Sequence, residues 1–273
     1  MLSKHVIKLL ALTTALQGAV AEELLHGTYF LAGVSNDYAV IAIDSRESHP
    51  TGVNNAANDR YCKIRPLSRD VIFFATGTTS GLNTSTGAII FDARDVAQRA
   101  FEYFTDDNFD NIANKWATEM KTIYVSLLNS FPFGTSSETV ARGFFIGTNS
   151  HNEITASAAT IFSRPELFTR FDIRIERVVP GPPDHMPILN NGHFKIMEEF
   201  FDGGQTDRAK KLVAETAGWK PGPDTDATRY SSYVAAVRDW SGDNDIGGEV
   251  ATIILERGKG WRWFRRPNFC PEN

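Results

Sequence analysis

The stretch LHGTYFLAGVSNDYAVIAIDSR, Leu25 to Arg46, decides the reading of this chain. Tyr29, Phe30, Leu31, Ala32 and Val34 make one apolar run and Tyr38 to Ile43 a second, with the polar triplet Ser35-Asn36-Asp37 between them. β-Branched and aromatic runs of this length, bounded by turn residues, predict two short strands joined as a hairpin and buried on both faces. Gly27-Thr28 opens the first strand, and Asp44 and Arg46 close the second.

Upstream lies a segment of different character. Lys4, His5 and Lys8 give a basic start, Leu9 to Ala21 is mostly apolar, and Ala19-Val20-Ala21 fits the small-x-small rule of signal peptidase, with Glu22-Glu23 directly after it. Residues 1–21 are therefore expected to be a cleaved secretory signal, the other reading being an amphipathic N-terminal helix. No apolar run reaches the ~20 residues that a membrane-spanning helix needs. The expectation is a secreted or periplasmic protein with no stable membrane insertion.

Composition narrows the classes further. The chain has 273 residues, 42% of them hydrophobic and 22% charged, which is ordinary globular usage and ample for a core. A net charge of −5 and the lack of a basic run interleaved with aromatics exclude nucleic acid as the expected partner. The tail Trp261-Arg262-Trp263-Phe264-Arg265-Arg266 carries so many large apolar residues that it reads as a final strand. The only cysteines, Cys62 and Cys270, are either a disulfide across a very long loop or two separate thiols. The six histidines have no partners at metal-ligand spacing, and there is no phosphate-binding glycine loop, so no metal or cofactor is expected.

Beyond the hairpin, a third strand is expected around Arg60 to Ile64, then a tight turn at Pro66-Leu67-Ser68-Arg69-Asp70, then a strongly apolar strand from Val71 to Ala75. The run Thr76-Gly77-Thr78-Thr79-Ser80-Gly81 reads as a backbone-exposing loop leading into a helix. Asp92 to Phe104 and Phe109 to Leu128 carry apolar residues at helical spacing, from Val96 to Phe104 and from Ile112 to Leu127. Strands are expected at Ala141 to Gly147, Glu153 to Phe162 and Phe171 to Val179. Helices follow at His193 to Phe201, at Asp207 to Trp219 and from an Asp224 or Thr225 cap to Trp240. Glu249 to Leu255 and Trp261 to Phe264 flank a final Gly-Lys-Gly turn. Strands, helices, strands, helices, strands in that order predict a layered α+β fold of two sheets with helices outside, in one domain from Thr28 to the end.

At Asp44-Ser45-Arg46, Lys63-Ile64 and Ala75-Thr76-Gly77 the chain resembles a proteasome β-type subunit, a member of the N-terminal-nucleophile (Ntn) hydrolases. In that family autocleavage leaves a Thr preceded by Gly, and Gly27-Thr28 stands in that place. The family Asp, in an Asp-x-Arg motif sixteen residues after the Thr, is matched by Asp44 with Arg46. Its Lys precedes an Ile on the third strand, as Lys63 does Ile64, with a loop three residues longer here. Its oxyanion-hole Gly follows fourteen residues later, where Gly77 falls. The resemblance is clear from Gly27 to Gly81 and returns at Arg238-Asp239 and Ser241-Gly242, where the family has an Arg-Asp pair and a Ser-Gly pair beside the N-terminal amine. One residue separates Asp239 from Ser241, where the family has two. The family's Ser-Gly-Ser loop has no counterpart between Gly147 and Ser157.

The resemblance implies a four-layer αββα Ntn-hydrolase sandwich. It also implies Thr28, Asp44, Lys63 and Gly77 as catalytic residues, with Arg46, Asp239 and Ser241 in support. The chemistry is coherent: a Thr hydroxyl needs a base, and a free α-amino group titrating near pH 8 can serve on its own residue. A lysine held by Asp44 would ease loss of the hydroxyl proton, and the Gly77 amide would face the oxyanion. The expected reaction is hydrolysis of a peptide or small amide through an acyl ester on Thr28. Signal cleavage after Ala21 would leave Glu22 to Gly27 as a propeptide. The alternatives are a non-catalytic binding or assembly subunit and a non-proteolytic amidase of the same fold. Tyr29 and the missing Ser-Gly-Ser loop favour the non-catalytic one. Ring assembly is also implied, and an exported chain, away from the cytoplasmic unfoldase, is expected as a small homo-oligomer or open ring. Asn83-Thr84-Ser85 is a glycosylation sequon in a eukaryotic source.

Overall fold

Strand β2 (Phe30–Val34) pairs antiparallel with β3 (Tyr38–Asp44), every residue of both being buried. The turn between them is set by Ser35, whose Oγ accepts the Asp37 and Tyr38 amide N–H groups and donates to the Tyr38 carbonyl. The computed structural model in which this hairpin is seen describes residues 22–25, 28–47, 59–83, 88–104, 108–128, 139–164, 170–190, 211, 214–216, 218–241 and 246–272. The leader expected at 1–21, Gly27, Thr84 and Ser85 of the sequon, the helix expected at His193 to Phe201 and most of that at Asp207 to Trp219 lie outside the described residues.

The other elements are β1 (Glu22–Leu25), β4 (Ile64–Ser68), β5 (Val71–Gly77), β6 (Ser80–Asn83), β7 (Ile89–Asp92), α1 (Ala93–Tyr103), α2 (Phe109–Leu127), β8 (Thr139–Thr148), β9 (Ile154–Ser163), β10 (Phe171–Val178), β11 (Ile188–Asn190), α3 (Pro223–Ser241), β12 (Val250–Glu256) and β13 (Gly260–Arg265). One five-stranded antiparallel sheet has the order β11-β2-β3-β12-β13, and the second has β10-β9-β8-β5-β4. A three-stranded sheet, β1-β6-β7, stands beside them.

Alternation along each strand sorts its side chains into layers. From β3, Ala39, Ile41 and Ile43 point between the sheets with Phe30, Ile64, Ile72, Phe74, Phe144 and Ile146. Phe74 stacks on Phe144 with ring centres 4.7 Å apart, and Phe30 meets both edge-on at 5.0 Å. The opposite residues, Val40 and Ala42, pack under Tyr230, Val234 and Val237 of α3. On the far face of the second sheet, Phe73, Ala141, Phe145 and Ile161 pack under Val96 and Ala100 of α1 and Ile112, Trp116, Met120 and Tyr124 of α2. Helix, sheet, sheet, helix: the chain has the α+β four-layer αββα sandwich that the sequence leads one to expect. Strands buried on both faces explain the continuous apolar runs of the sequence.

The structure corrects several boundaries. Pro66 to Ser68 belong to β4 rather than to a tight turn, which is confined to Arg69-Asp70. β4 is the last strand of its sheet, so a proline without an N–H leaves no ladder bond broken within it, and the register shifts between Pro66 and Ser68. The run after Gly77 does not lead directly into a helix; a hairpin, β6–β7, intervenes. α3 starts at Pro223, so Asp224 and Thr225 are in its first turn and do not cap it. Asp226 instead accepts the Gly222 N–H and, while fully buried, the Tyr38 hydroxyl. No helix among the described residues is long and apolar enough to cross a membrane.

Candidate active site

Asp44 ends β3 where the strand emerges from the layer under α3, and its fully buried carboxylate gathers four donors. Oδ1 accepts the Tyr29 amide N–H at 2.7 Å and Lys63 Nζ at 2.9 Å. Oδ2 accepts the amide N–H groups of Arg46 at 3.2 Å and Gly247 at 3.1 Å. The Asp44 N–H in turn donates to the Tyr29 carbonyl at 3.0 Å. Tyr29 directly follows Thr28, so both backbone groups of its neighbour are pinned to Asp44, and Thr28 itself is buried. Lys63 stands just before β4, and its side chain is only 3% exposed. A buried ion pair of this kind holds its geometry because losing either partner leaves an uncompensated charge.

Gly77 ends β5 opposite Ala141 of β8. Ile64 pairs with Phe74, so continuing that register sets Lys63 against Ala75 and leaves Gly77 two residues further on. Its φ of +83° lies in the left-handed region, and a Cβ there would stand 2.3 Å from the Val140 carbonyl oxygen. Only glycine suits this position. The next two residues are tied down as well: the Thr78 N–H donates to Val140 O and its carbonyl accepts the Tyr124 hydroxyl, while Thr79 O accepts the Ala93 N–H.

Arg46 turns away from the Asp44 carboxylate and makes a two-pronged pair with Asp59, Nε to Oδ1 at 2.6 Å and Nη2 to Oδ2 at 3.0 Å. The Arg46 hydrogen bond holds the Asp59 carboxyl below its ordinary range. Gly247 and Gly248 make this crossing possible. A Cβ on Gly247 would strike the Arg46 guanidinium at 2.2 Å, and one on Gly248 would lie 2.2 Å from Ser45 Oγ. Gly247 thereby places its N–H on Asp44, a role that the motif around Asp44 did not reveal and that the adjacent glycines alone could have signalled.

The structure brings together Asp44, Lys63 and the backbone beside Thr28. Asp239 lies at the periphery: its half-exposed carboxylate accepts from Arg238 Nε at 2.8 Å, and Arg238 Nη1 reaches the Gly248 carbonyl at 2.7 Å. Ser241 is the last residue of α3, and its side chain lies outside the described residues.

A second polar cluster adjoins the first and was not anticipated. Glu47, buried, accepts the Ser80 hydroxyl at 2.6 Å. Burial pushes its carboxyl up, against the pull of Ser80, Arg94 and Lys63. Arg94 pairs with Asp92, donates to the Cys62 carbonyl at 2.7 Å and lies 4.1 Å from the centre of the Tyr61 ring, whose hydroxyl donates to Asp92 at 3.2 Å. Cys62 is disulfide-bonded to Cys270, with 5.1 Å between the Cα atoms, which fastens the C-terminal tail beside Lys63. Among the described residues no cluster of His, Cys, Asp or Glu could hold a metal ion.

Among solved structures the chain is similar to the Anbu (Gly-1) mutant from Hyphomicrobium sp. strain MC1. The two are 15% identical with a TM-score of 0.47, over 90% of this chain and 89% of that one. No protein-family model and no curated protein matches the chain.

Proposed function

We propose that this chain is an exported threonine-type hydrolase of peptide or other amide bonds, made active by cleavage between Gly27 and Thr28. The observation that carries the proposal is the Asp44 carboxylate, shared between the Lys63 ammonium and the backbone N–H next to Thr28. In an ordinary structural ion pair nothing requires the partner strand to deliver a hydroxyl residue at that point.

The chemistry runs as follows. The freed Thr28 α-amine takes the proton of its own hydroxyl, directly or through one water, and Oγ1 attacks the substrate carbonyl carbon. Lys63, anchored on Asp44, stabilises the developing alkoxide electrostatically. Negative charge passes to the carbonyl oxygen, where the Gly77 N–H is the candidate donor; one such donor is typically worth ~3 kcal/mol. The tetrahedral intermediate collapses, the amine leaves with the proton carried by the Thr28 ammonium, and an acyl ester remains on Oγ1. Water then adds to the ester with the α-amine as base, releasing the acid and restoring the Thr28 hydroxyl.

The Cys62–Cys270 disulfide supports export, because such bonds persist in oxidising compartments. Assembly into a homo-oligomer, open or closed ring, belongs to the same proposal. A second reading, a non-catalytic binding or assembly subunit, is favoured by Tyr29 directly after Thr28 and by the missing Ser-Gly-Ser loop between Gly147 and Ser157.

Intact mass and N-terminal sequencing test the first step: the aged, folded protein should begin at Thr28, and Thr28→Ala should begin upstream. The wild type should hydrolyse peptide amides and be blocked by an electrophile that needs both the hydroxyl and the free amine. A folded wild type that keeps Glu22 to Gly27 and hydrolyses no amide would overturn the proposal in favour of the second reading.

A further inference from the structure

Glu47 has no place in the set of residues drawn from the motif, yet it is built into the same corner of the fold. It directly follows Arg46, whose N–H is on Asp44 Oδ2, and it is only 5% exposed. Its Oε1 accepts the Ser80 hydroxyl at 2.6 Å, and among the described residues Oε2 has no hydrogen-bond donor. Ser80 pairs across β6 and β7 with Asp92. Asp92 holds Arg94, and Arg94 Nη1 donates at 2.7 Å to the carbonyl of Cys62, the residue before Lys63. Lys63 then returns to Asp44 at 2.9 Å. These contacts close a loop that carries both Glu47 and Lys63 and runs beside Thr28 and Gly77.

The described charges around Glu47 balance without it. Asp44 pairs with Lys63, Asp59 with Arg46 and Asp92 with Arg94. Burial pushes the Tyr61 hydroxyl well above its ordinary range, so it stays neutral. Arg94 and Lys63 pull on the Glu47 carboxyl and Asp92 pushes against it. Ionised Glu47 is therefore a surplus negative charge beside a reaction that itself develops negative charge, first on Thr28 Oγ1 and then on the carbonyl oxygen. It also tightens the hold of the Thr28 α-ammonium on its proton. Protonated on Oε2, Glu47 does neither. We propose that Glu47 is a positioning residue for this reaction: its carboxyl charge offsets part of the Lys63 field at Thr28 and so sets how readily the α-amine takes the hydroxyl proton. The inference rests on the proposed hydrolase reading and deepens it. As pH climbs above the ordinary Glu range Glu47 ionises, so the wild type reaches full activity at a higher pH than a chain without that charge.

Glu47→Gln keeps the shape and the acceptor for Ser80 and removes the charge. In the processed enzyme kcat at pH 7 should rise at least about threefold, with the limb governed by the α-amine moved down by about half a pH unit and KM little changed. Glu47→Asp keeps the charge and should keep the wild-type limb, whereas a merely structural role would make the shorter side chain the worse of the two. The coupling can also be read without turnover. In Thr28→Ala carrying isotope-labelled lysine, the Lys63 Cε resonance, assigned by its loss in Lys63→Met, should shift as Glu47 titrates. That shift should vanish when Glu47→Gln is added. A wild type that hydrolyses amides, with neither the limb nor the Lys63 resonance moved by Glu47→Gln, overturns the role of Glu47 and leaves the hydrolase standing. A limb that moves while the Lys63 resonance ignores Glu47 overturns the route through Lys63. A Lys63 resonance that follows Glu47 in a protein that hydrolyses nothing upholds the coupling and overturns the hydrolase reading.

Discussion

Asp44→Asn is the sharpest perturbation of this structure. The carboxylate accepts from Tyr29 and Lys63 on one oxygen and from Arg46 and Gly247 on the other. An asparagine has a single acceptor oxygen, so either orientation sets its NH2 against two donors. If the NH2 replaces Oδ1, the buried Lys63 ammonium also loses its bond to the residue at 44. Breaking a buried pair by removing one charge typically costs 3–5 kcal/mol, and an orphaned buried N–H about 1–3 kcal/mol. These overlap, and about 4 kcal/mol is the expected loss for the variant. With an m-value of about 2.5 kcal/mol/M, the urea midpoint should fall by roughly 1.5 M. The measurement belongs in a Thr28→Ala background, so that every variant carries the same N-terminus. Lys63→Met leaves the carboxylate with three backbone donors and should cost about 3 kcal/mol. The double variant should be less destabilised than the sum of the two, by at least ~1 kcal/mol. A cost below ~1 kcal/mol for Asp44→Asn, or strict additivity, would refute the four-donor arrangement.

Three further outcomes follow from the same geometry. Gly77→Ala should lose more than ~2 kcal/mol in equilibrium unfolding, because the new Cβ meets Val140 O and the left-handed φ is strained at once; a shift within 0.5 kcal/mol would contradict the backbone described. Glu47 has a raised carboxyl in the fold, so the native state holds its proton more tightly than the unfolded chain. Its contribution therefore turns unfavourable as pH climbs through the ordinary Glu range and stays so above the raised value. Glu47→Gln should gain stability at pH 7 relative to pH 4 when thermal unfolding of the two proteins is compared across that range; an equal or falling difference would sink the assignment. Replacing Cys62 and Cys270 by Ser and Ala opens a loop of 208 residues and should cost about 5 kcal/mol in the chain-entropy account, less where reduced chains retain structure. Unchanged stability with and without a thiol reductant would show that the pair is not formed.

Much of the framework was legible one strand at a time. Apolar runs of five to seven residues at β2, β3 and β5, and helical spacing at α1 and α2, follow from which side chains each layer must bury. Thr28, Asp44, Lys63 and Gly77 were singled out through the resemblance to a family motif, and the structure places the Lys63 ammonium and the Tyr29 N–H on the Asp44 carboxylate. Less legible was anything decided by position within a sheet. Pro66 reads locally as a turn and is accommodated in β4 only because β4 is an edge. The short strands β6 and β7 carry too few residues to announce a period, and β6 exists by pairing with β1 and β7.

The amino-acid sequence by itself determined where the buried strands and the amphipathic helices lie, because an apolar run and a helical hydrophobic period are properties of the chain alone. Which donors meet on Asp44 was decided by tertiary structure. Gly247 is 203 residues away and reaches that carboxylate only because β12 lies against β3 with Val250 opposite Asp44. The same holds for Cys62 and Cys270, and for the seating of Glu22–Leu25 on β6. Hydrogen bonds and disulfides between distant segments depend on register and approach, and those arise only once the layers have packed.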